Sequence, residues 1–226
     1  MSKQKNNMQQ LRFLGAAGSL SPGCETTSFL LGAHVLIDAG TGVGQISAEA
    51  MLEIDHVFLT HSHLDHVCGL AFLADMVCGK RVRPIVVHGL APTLQAVRQH
   101  LFNDVIWPDF SVLPSAESPT LCWLPLDGEL EVTGLTITPF AADHSVPATG
   151  YVINSGTSRI LLTGDTCVSA DYIYQVKTLG KLDMVVMECA FPQEQAAVSI
   201  LARHTYSGSF VEFVRGVDDG EMVFFL

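Results

Sequence analysis

The run "HSHLDH", residues 61–66, follows directly on the apolar stretch "HVFL". That junction restricts the fold more than any other feature. Four strongly hydrated groups, His61, His63, Asp65 and His66, stand where a buried strand should end. Polar groups of this kind are costly to bury without partners, so the strand must deliver them to the rim of a sheet. Residues i and i+2 of an extended chain point the same way. His61 and His63 are therefore expected to reach one cation, with Leu64 turned the opposite way into the core. Asp65 and His66 come as the chain enters the next helix, and would serve a second cation. Val67, Leu70, Ala71 and Ala74 supply the apolar spacing of that helix. Imidazole combined with carboxylate suits zinc, with manganese or iron as alternatives. The competing reading is a histidine-rich polar cap on the helix.

Each ion needs further ligands from elsewhere in the chain. The sequence offers His144 in "AADHSVP", Asp165 in "LLTGDT" and His204 in "ARHTYSG". An aspartate at a strand end, preceded by glycine, is placed to bridge two cations through one carboxylate. A lone strand-end aspartate is more commonly a turn former. His34, His56, His88 and His100 lack neighbouring ligands and read as ordinary core or surface histidines.

Short apolar strands dominate the first third, at "LRFLG", "SFLLG", "HVLIDAG" and "DHVFLT". "GQISAEAMLE", "DHVCGLAFLADMVCG" and "PTLQAVRQHLF" read as helices, with the strand "RPIVVHG" before the last. Residues 105–126 hold prolines 108, 114, 119 and 125 and read as a long irregular connection. "ELEVTGLTITPF" predicts a hairpin about Thr133-Gly134, followed by the strands "TGYVIN" and "SRILLTGD". A helix ending before Gly180, the strand "LDMVVMEC", two short helices and the strand "EMVFFL" complete the chain. Both halves run from strands into a polar stretch at a strand end. The expected fold is α/β, a four-layer α-β-β-α sandwich of two sheets with helices outside. Residues 1–10 are expected to form a disordered polar tail, and 11–226 a single domain.

At 48% hydrophobic and 15% charged, the 226 residues can bury a sizeable core. A formal charge of −11, with "GKRVR" as its basic run, argues against a large nucleic-acid partner. Such affinity comes mainly from neutralising phosphates. A small anionic substrate stays compatible, because a metal meets its charge locally. No apolar run approaches the roughly 18 residues of a membrane span, and the apolar composition points to a homodimer. None of the six cysteines forms a C-x-x-C pair. They read as buried, reduced packing thiols of a cytoplasmic protein.

The motif "HSHLDH" resembles the H-x-H-x-D-H signature of the metallo-β-lactamase fold hydrolase superfamily. The longer "THSHLDHVCGL" is similar to the signature of class II 3′,5′-cyclic-nucleotide phosphodiesterases. "TTSFLL", "LIDAGTGVG", "VIWPDF", "HSVPATGY", "GDT" and "ECAFP" extend the likeness from Leu11 to Leu226. The resemblance implies two divalent ions. His61, His63 and His144 would hold one, Asp65 and His66 the other, and Asp165 would bridge them. It implies hydrolysis of a cyclic nucleotide to a nucleoside 5′-monophosphate by a hydroxide held between the ions. Asp65 would orient that nucleophile, and His204 would act beside the leaving group.

Endoribonucleases that process transfer-RNA 3′ ends share the ligand set. They carry a long arm between the equivalents of His144 and Asp165, where this chain has only a short interval. Lactonases, thioesterases, arylsulfatases and a catalytically impaired metal-binding homologue complete the alternatives. The chain departs from the pattern at its end. The family's last ligand is a histidine after the final strand, in a segment resembling "THLKP", whereas this sequence stops at "EMVFFL". The expectation is that the segment after the last strand is lacking and that the second ion binds weakly.

Overall fold

The computed structural model describes residues 10–217 and 220–225. The tail expected at residues 1–10 lies, apart from Gln10, outside the described residues. The chain divides into two units, each built on a six-stranded sheet. The first comprises the residues up to Leu59, His63–His88 and Leu94–Pro125; the second comprises Thr60–Ser62, Gly89–Thr93 and everything from Leu126 onward.

The sheet of the first unit takes the order β1-β2-β3-β4-β5-β8. Its strands are β1 (Leu11–Gly15), β2 (Ser28–Leu31), β3 (Val35–Ile37), β4 (His56–Phe58), β5 (Ile85–Gly89) and β8 (Leu121–Pro125). β1, β2 and β3 pair antiparallel, and β3, β4 and β5 parallel. Every residue of β2 and β3 is buried, which explains their unbroken apolar runs. Helix α2 (Leu64–Val77) adds Val67, Leu70, Leu73, Ala74 and Val77 to a core with Val57, Leu59 and Val87. Helix α3 (Ala91–His100) follows β5, with Pro92 in its first turn.

Four local expectations need correction. Leu64 does not enter the core; it is 67% exposed. The extended chain ends at His63 (φ −66°, ψ 150°), so Leu64 already belongs to the helix, and strand alternation no longer sets its direction. The helix expected over "GQISAEAMLE" is split into a 3₁₀ turn, Thr41–Gln45, and α1 (Ala48–Leu52), whose first turn is capped by Ser47. The proline-rich stretch 105–126 holds a small ribbon, β6 (Pro114–Ser115) and β7 (Ser118–Pro119), as well as β8. The cysteines are free, but none is buried: Cys24 and Cys122 are exposed, the other four half-buried.

Two glycines set the approach of α2 to the turn after β3. A Cβ on Gly69 would lie 2.1 Å from the Gly40 carbonyl oxygen, and one on Gly40 would lie 2.1 Å from the Asp65 carbonyl oxygen. Gly69 N donates to Ala39 O at 2.7 Å, and Ala39 N donates to His66 O at 2.8 Å. Asp65 and His66 are thereby fixed against residues 38–40.

The second sheet takes the order β14-β13-β12-β11-β10-β9. Its strands are β9 (Leu130–Val132), β10 (Leu135–Ala141), β11 (Thr149–Asn154), β12 (Arg159–Leu162), β13 (Met184–Val186) and β14 (Val223–Phe225). β9 to β12 pair antiparallel, and β12 to β14 parallel. The β9–β10 hairpin turns at Thr133 (φ 49°) and Gly134 (φ 80°), as expected. Helix α4 (Ala170–Thr178) is capped by Ser169 and followed by Gly180 at φ 76°. With α6 (Ser207–Val217), α4 covers a core of Val152, Leu161, Tyr172, Val176, Val185 and Phe213. The short α5 (Ala196–Ala202) precedes α6. Among the described residues, no helix is long and apolar enough to cross a membrane.

The packing of the first unit can be tested at two points. Gly69→Ala forces backbone apart and is expected to cost roughly 1–3 kcal/mol, as overpacking does. Urea denaturation checks this, and an unchanged midpoint contradicts it. The second point is His88, which is buried against His56 (Nε2 to Nδ1, 3.0 Å) and stacks on Phe58. Burial, and then the neighbouring His56, pull its pKa from 6.5 to about 4. Between those pH values the unfolded chain binds more protons than the folded one. The stability is therefore present above pH 6.5 and is lost as pH falls toward about 4. Each tenfold difference in proton affinity between the two states is worth about 1.4 kcal/mol. The melting temperature should drop over that range, and His88→Phe should flatten the dependence.

Candidate metal centre

In the first unit the donors gather where β3 ends and α2 begins. His66 is buried in the first turn of α2, and its Nδ1 donates to Asp38 Oδ2 at 2.8 Å. Asp38 follows β3 directly with φ 56° and is 1% exposed. A carboxylate that takes the Nδ1 hydrogen leaves the lone pair on Nε2. That nitrogen lies 3.5 Å from Asp65 Oδ2. His63 occupies the N-cap position of α2 but its side chain makes no capping hydrogen bond. The polar-cap reading of the motif therefore does not describe this helix start.

The second unit brings together His61, His144, Asp165 and His204, each carried on a loop. His61 follows β4, His144 follows β10, and His204 sits between α5 and α6. Asp165 comes three residues after β12. Its neighbour Gly164 (φ 61°) would bring an added Cβ to 3.0 Å from Thr60 Cβ, so the turn is closely packed. Asp165 Oδ2 stands 3.7 Å from His61 Nε2, 4.0 Å from His144 Nε2 and 3.8 Å from His204 Nδ1. These separations are too long for hydrogen bonds. None exceeds the roughly 4.0–4.4 Å that two ligands of one zinc ion can span at most, given bonds of about 2.0–2.2 Å.

The ring nitrogens are tied on their other side. His61 Nδ1 lies 3.0 Å from Thr60 Oγ1, and His144 Nδ1 donates to Arg203 O at 2.9 Å. Histidine ligands of metals are held in this way, by a partner that fixes tautomer and ring direction. A donor set of two imidazoles and a carboxylate, each of His61, His144 and Asp165 offering one atom within 4.8 Å of the others, fits a divalent cation.

His204 differs. Its Nδ1 meets Glu188 Oε1 at 2.9 Å. Glu188 also accepts from the amides of Thr166 (2.9 Å) and Ala190 (3.2 Å). Burial pushes the Glu188 carboxyl up from its ordinary value, His204 pulls it down, and Asp165 pushes it up again. Asp165, Glu188 and His204 also offer atoms within 4.8 Å of one another.

Asp38 and Glu188 do not stand out as site residues in the sequence. Their signal is present in weak form. Each closes a short apolar strand, in "HVLID" and "DMVVME", as "HSHLDH" closes "HVFL". Asp38→Ala removes the oxygen behind His66 and is expected to weaken divalent-metal binding roughly ten- to a hundredfold. Calorimetric titration with Zn²⁺ or Mn²⁺ checks this; undiminished affinity contradicts it.

Residues 33–225 match the family model described as the beta-lactamase superfamily domain. Ribonuclease Z of Pyrococcus abyssi is 28% identical over 160 residues, covering 67% of this chain and 50% of that protein. 3′,5′-cyclic-nucleotide phosphodiesterase 1 of Saccharomyces cerevisiae is 27% identical over 129 residues, covering 52% of this chain and 35% of that protein. The chain thus spans half or less of the length of these curated relatives. Unliganded yeast PDE1 superimposes with a TM-score of 0.78 at 18% identity, over 92% of this chain and 82% of that one. The metallo-beta-lactamase fold protein YhfI from Bacillus subtilis does so at 0.71 and 18% identity, over 96% and 86%. At such identities the likeness is one of fold, and it is the fold that the motif leads one to expect. With most of its length matched by the family model, the chain belongs to the beta-lactamase superfamily and has the α/β metallo-β-lactamase fold.

Proposed function

We propose that this chain is a metal-dependent phosphodiesterase acting on a small 3′,5′-cyclic nucleotide and yielding a nucleoside 5′-monophosphate. The observation that carries the reading is Asp165 Oδ2 with His61 Nε2 and His144 Nε2 at 3.7 and 4.0 Å from it. In this reading His61, His63 and His144 would hold one ion, Asp65 and His66 would hold a second, and Asp165 would serve both. The ions are divalent, zinc first and manganese or iron next. Bound there, they would lower the pKa of water and neutralise phosphate charge.

The remaining steps fall to side chains. Asp65 orients the attacking water and holds its proton. His204, protonated, donates to the departing 3′ oxygen. Glu188 holds Nδ1 of that ring, so the opposite nitrogen is the one that gives up its proton. The amides of Thr166 and Ala190 keep Glu188 in place. The formal charge of −11 suits a small anion met by local cations better than a long polyanion. Six free cysteines fit a reducing cytoplasm.

A second reading, transfer-RNA 3′ processing, draws support from the longer match to ribonuclease Z, 160 residues against 129. Against it stands the interval between His144 and Asp165. It is occupied by β11 and β12, joined by a turn closed by Ser155 N donating to Ser158 O at 3.0 Å. That leaves no length for the projecting arm associated with such enzymes.

The metal-loaded protein should hydrolyse cyclic AMP or cyclic GMP, and Asp165→Ala or His63→Ala should abolish turnover. Wild-type rates in either variant would sink the site assignment. Cleavage of a 3′-extended transfer-RNA precursor without cyclic-nucleotide turnover would select the second reading.

A further inference from the structure

We infer that Arg203 is a positioning residue for His144, gripping the loop that carries this histidine at two points; the inference rests on reading His144 as a metal ligand. Arg203 ends α5 in the left-handed conformation, φ 58° and ψ 51°. Its carbonyl accepts the Nδ1 hydrogen of His144 at 2.9 Å. Its guanidinium Nη1 forms an ion pair with Asp143 Oδ1, one residue before that same histidine.

Fold stability alone does not account for an arginine here. The pair is about half exposed on both sides, and such pairs contribute little. The left-handed backbone is unfavourable for any residue with a Cβ, and glycine closes helices of this shape better. What the arginine adds is a tie between two loops. Asp143 N donates to Thr166 Oγ1 at 3.0 Å, Cys167 N to Asp143 O at 2.8 Å, and Thr205 Oγ1 to Thr166 O at 2.7 Å. Segments 143–144, 165–167 and 203–205 are laced together, and each carries one of His144, Asp165 and His204. The Arg203–Asp143 pair closes this lacing from the exposed side and fixes the direction of the His144 ring.

The test compares Arg203→Gly, Asp143→Ala, the double variant and Arg203→Lys in the full chain. Arg203→Gly should keep or raise the melting temperature yet bind Zn²⁺ about tenfold more weakly by calorimetry, as loss of a ligand's support does. Asp143→Ala should lose a similar factor, the double variant no more than either alone, and Arg203→Lys should restore most of the affinity. In ¹⁵N NMR of the metal-free protein, the His144 Nδ1–H signal should exchange faster with water in both single variants. Unchanged affinity and unchanged exchange in Arg203→Gly and Asp143→Ala overturn the proposal. Should Arg203→Gly fail to fold, Asp143→Ala decides, since it leaves the helix end intact. Wild-type protein that binds no Zn²⁺ would instead refute the metal reading of His144, while the exchange measurement still judges Arg203.

Discussion

An imidazole has two nitrogens, and the candidate centre depends on which of them is occupied by protein. Asp38 takes Nδ1 of His66, and the Arg203 carbonyl takes Nδ1 of His144. Each bond leaves the lone pair on Nε2 and turns the ring toward a carboxylate. At His66 the bond also decides how a buried group is tolerated, because Asp38 and His66 are both almost inaccessible and satisfy one another. His204 is held through the same atom by Glu188, but beside a carboxyl whose proton affinity burial has raised. The same kind of contact is thus made at all three histidines, and at the third the partner is a carboxyl that burial makes easier to protonate.

These partners are delivered by short strands that end in polar residues. β3 leads directly into Asp38, β4 leads into His61, and β13 runs on to Glu188. Strands of three residues have little slack. The register of β3 with β4, Ile37 opposite Phe58, places residue 38 at the rim, and Asp38 N donates to Phe58 O at 2.8 Å. Within each unit the donors are therefore set by sheet pairing as much as by their own side-chain contacts.

Much of this is legible in the chain. The 61–66 motif stands out because three imidazoles and a carboxylate crowd the end of one apolar strand, and "TG" at 133–134 announces its own hairpin. Asp38 and Glu188 are harder to see. A single acid at a strand end is commonplace, and their roles depend on partners 28 and 16 residues away. Leu64 defies strand alternation because the backbone turns one residue before it, and no residue type marks that point. β8 is hidden in a proline-rich stretch, since it is fixed by the backbone around it rather than by its own pattern; Ile85 N, for instance, donates to Thr120 O just before it. Exposure of the cysteines, likewise, is a tertiary property that residue type does not reveal.

The contact between Gly40 and Gly69 has a consequence for how such a protein can vary. Because the nearest groups there are backbone carbonyls, with the Thr26 hydroxyl beside Gly40, α2 has little room to slide along the β3 turn in response to substitutions elsewhere on its surface. Asp65 and His66 stay put while the helix's outer face, including the exposed Phe72 and Met76, is free to drift. The loops at 143–144 and 203–204 are held by side-chain ties instead, and those can be rewritten one residue at a time. One set of donors is thus seated by backbone contact, and the other by ties that a single substitution can cut.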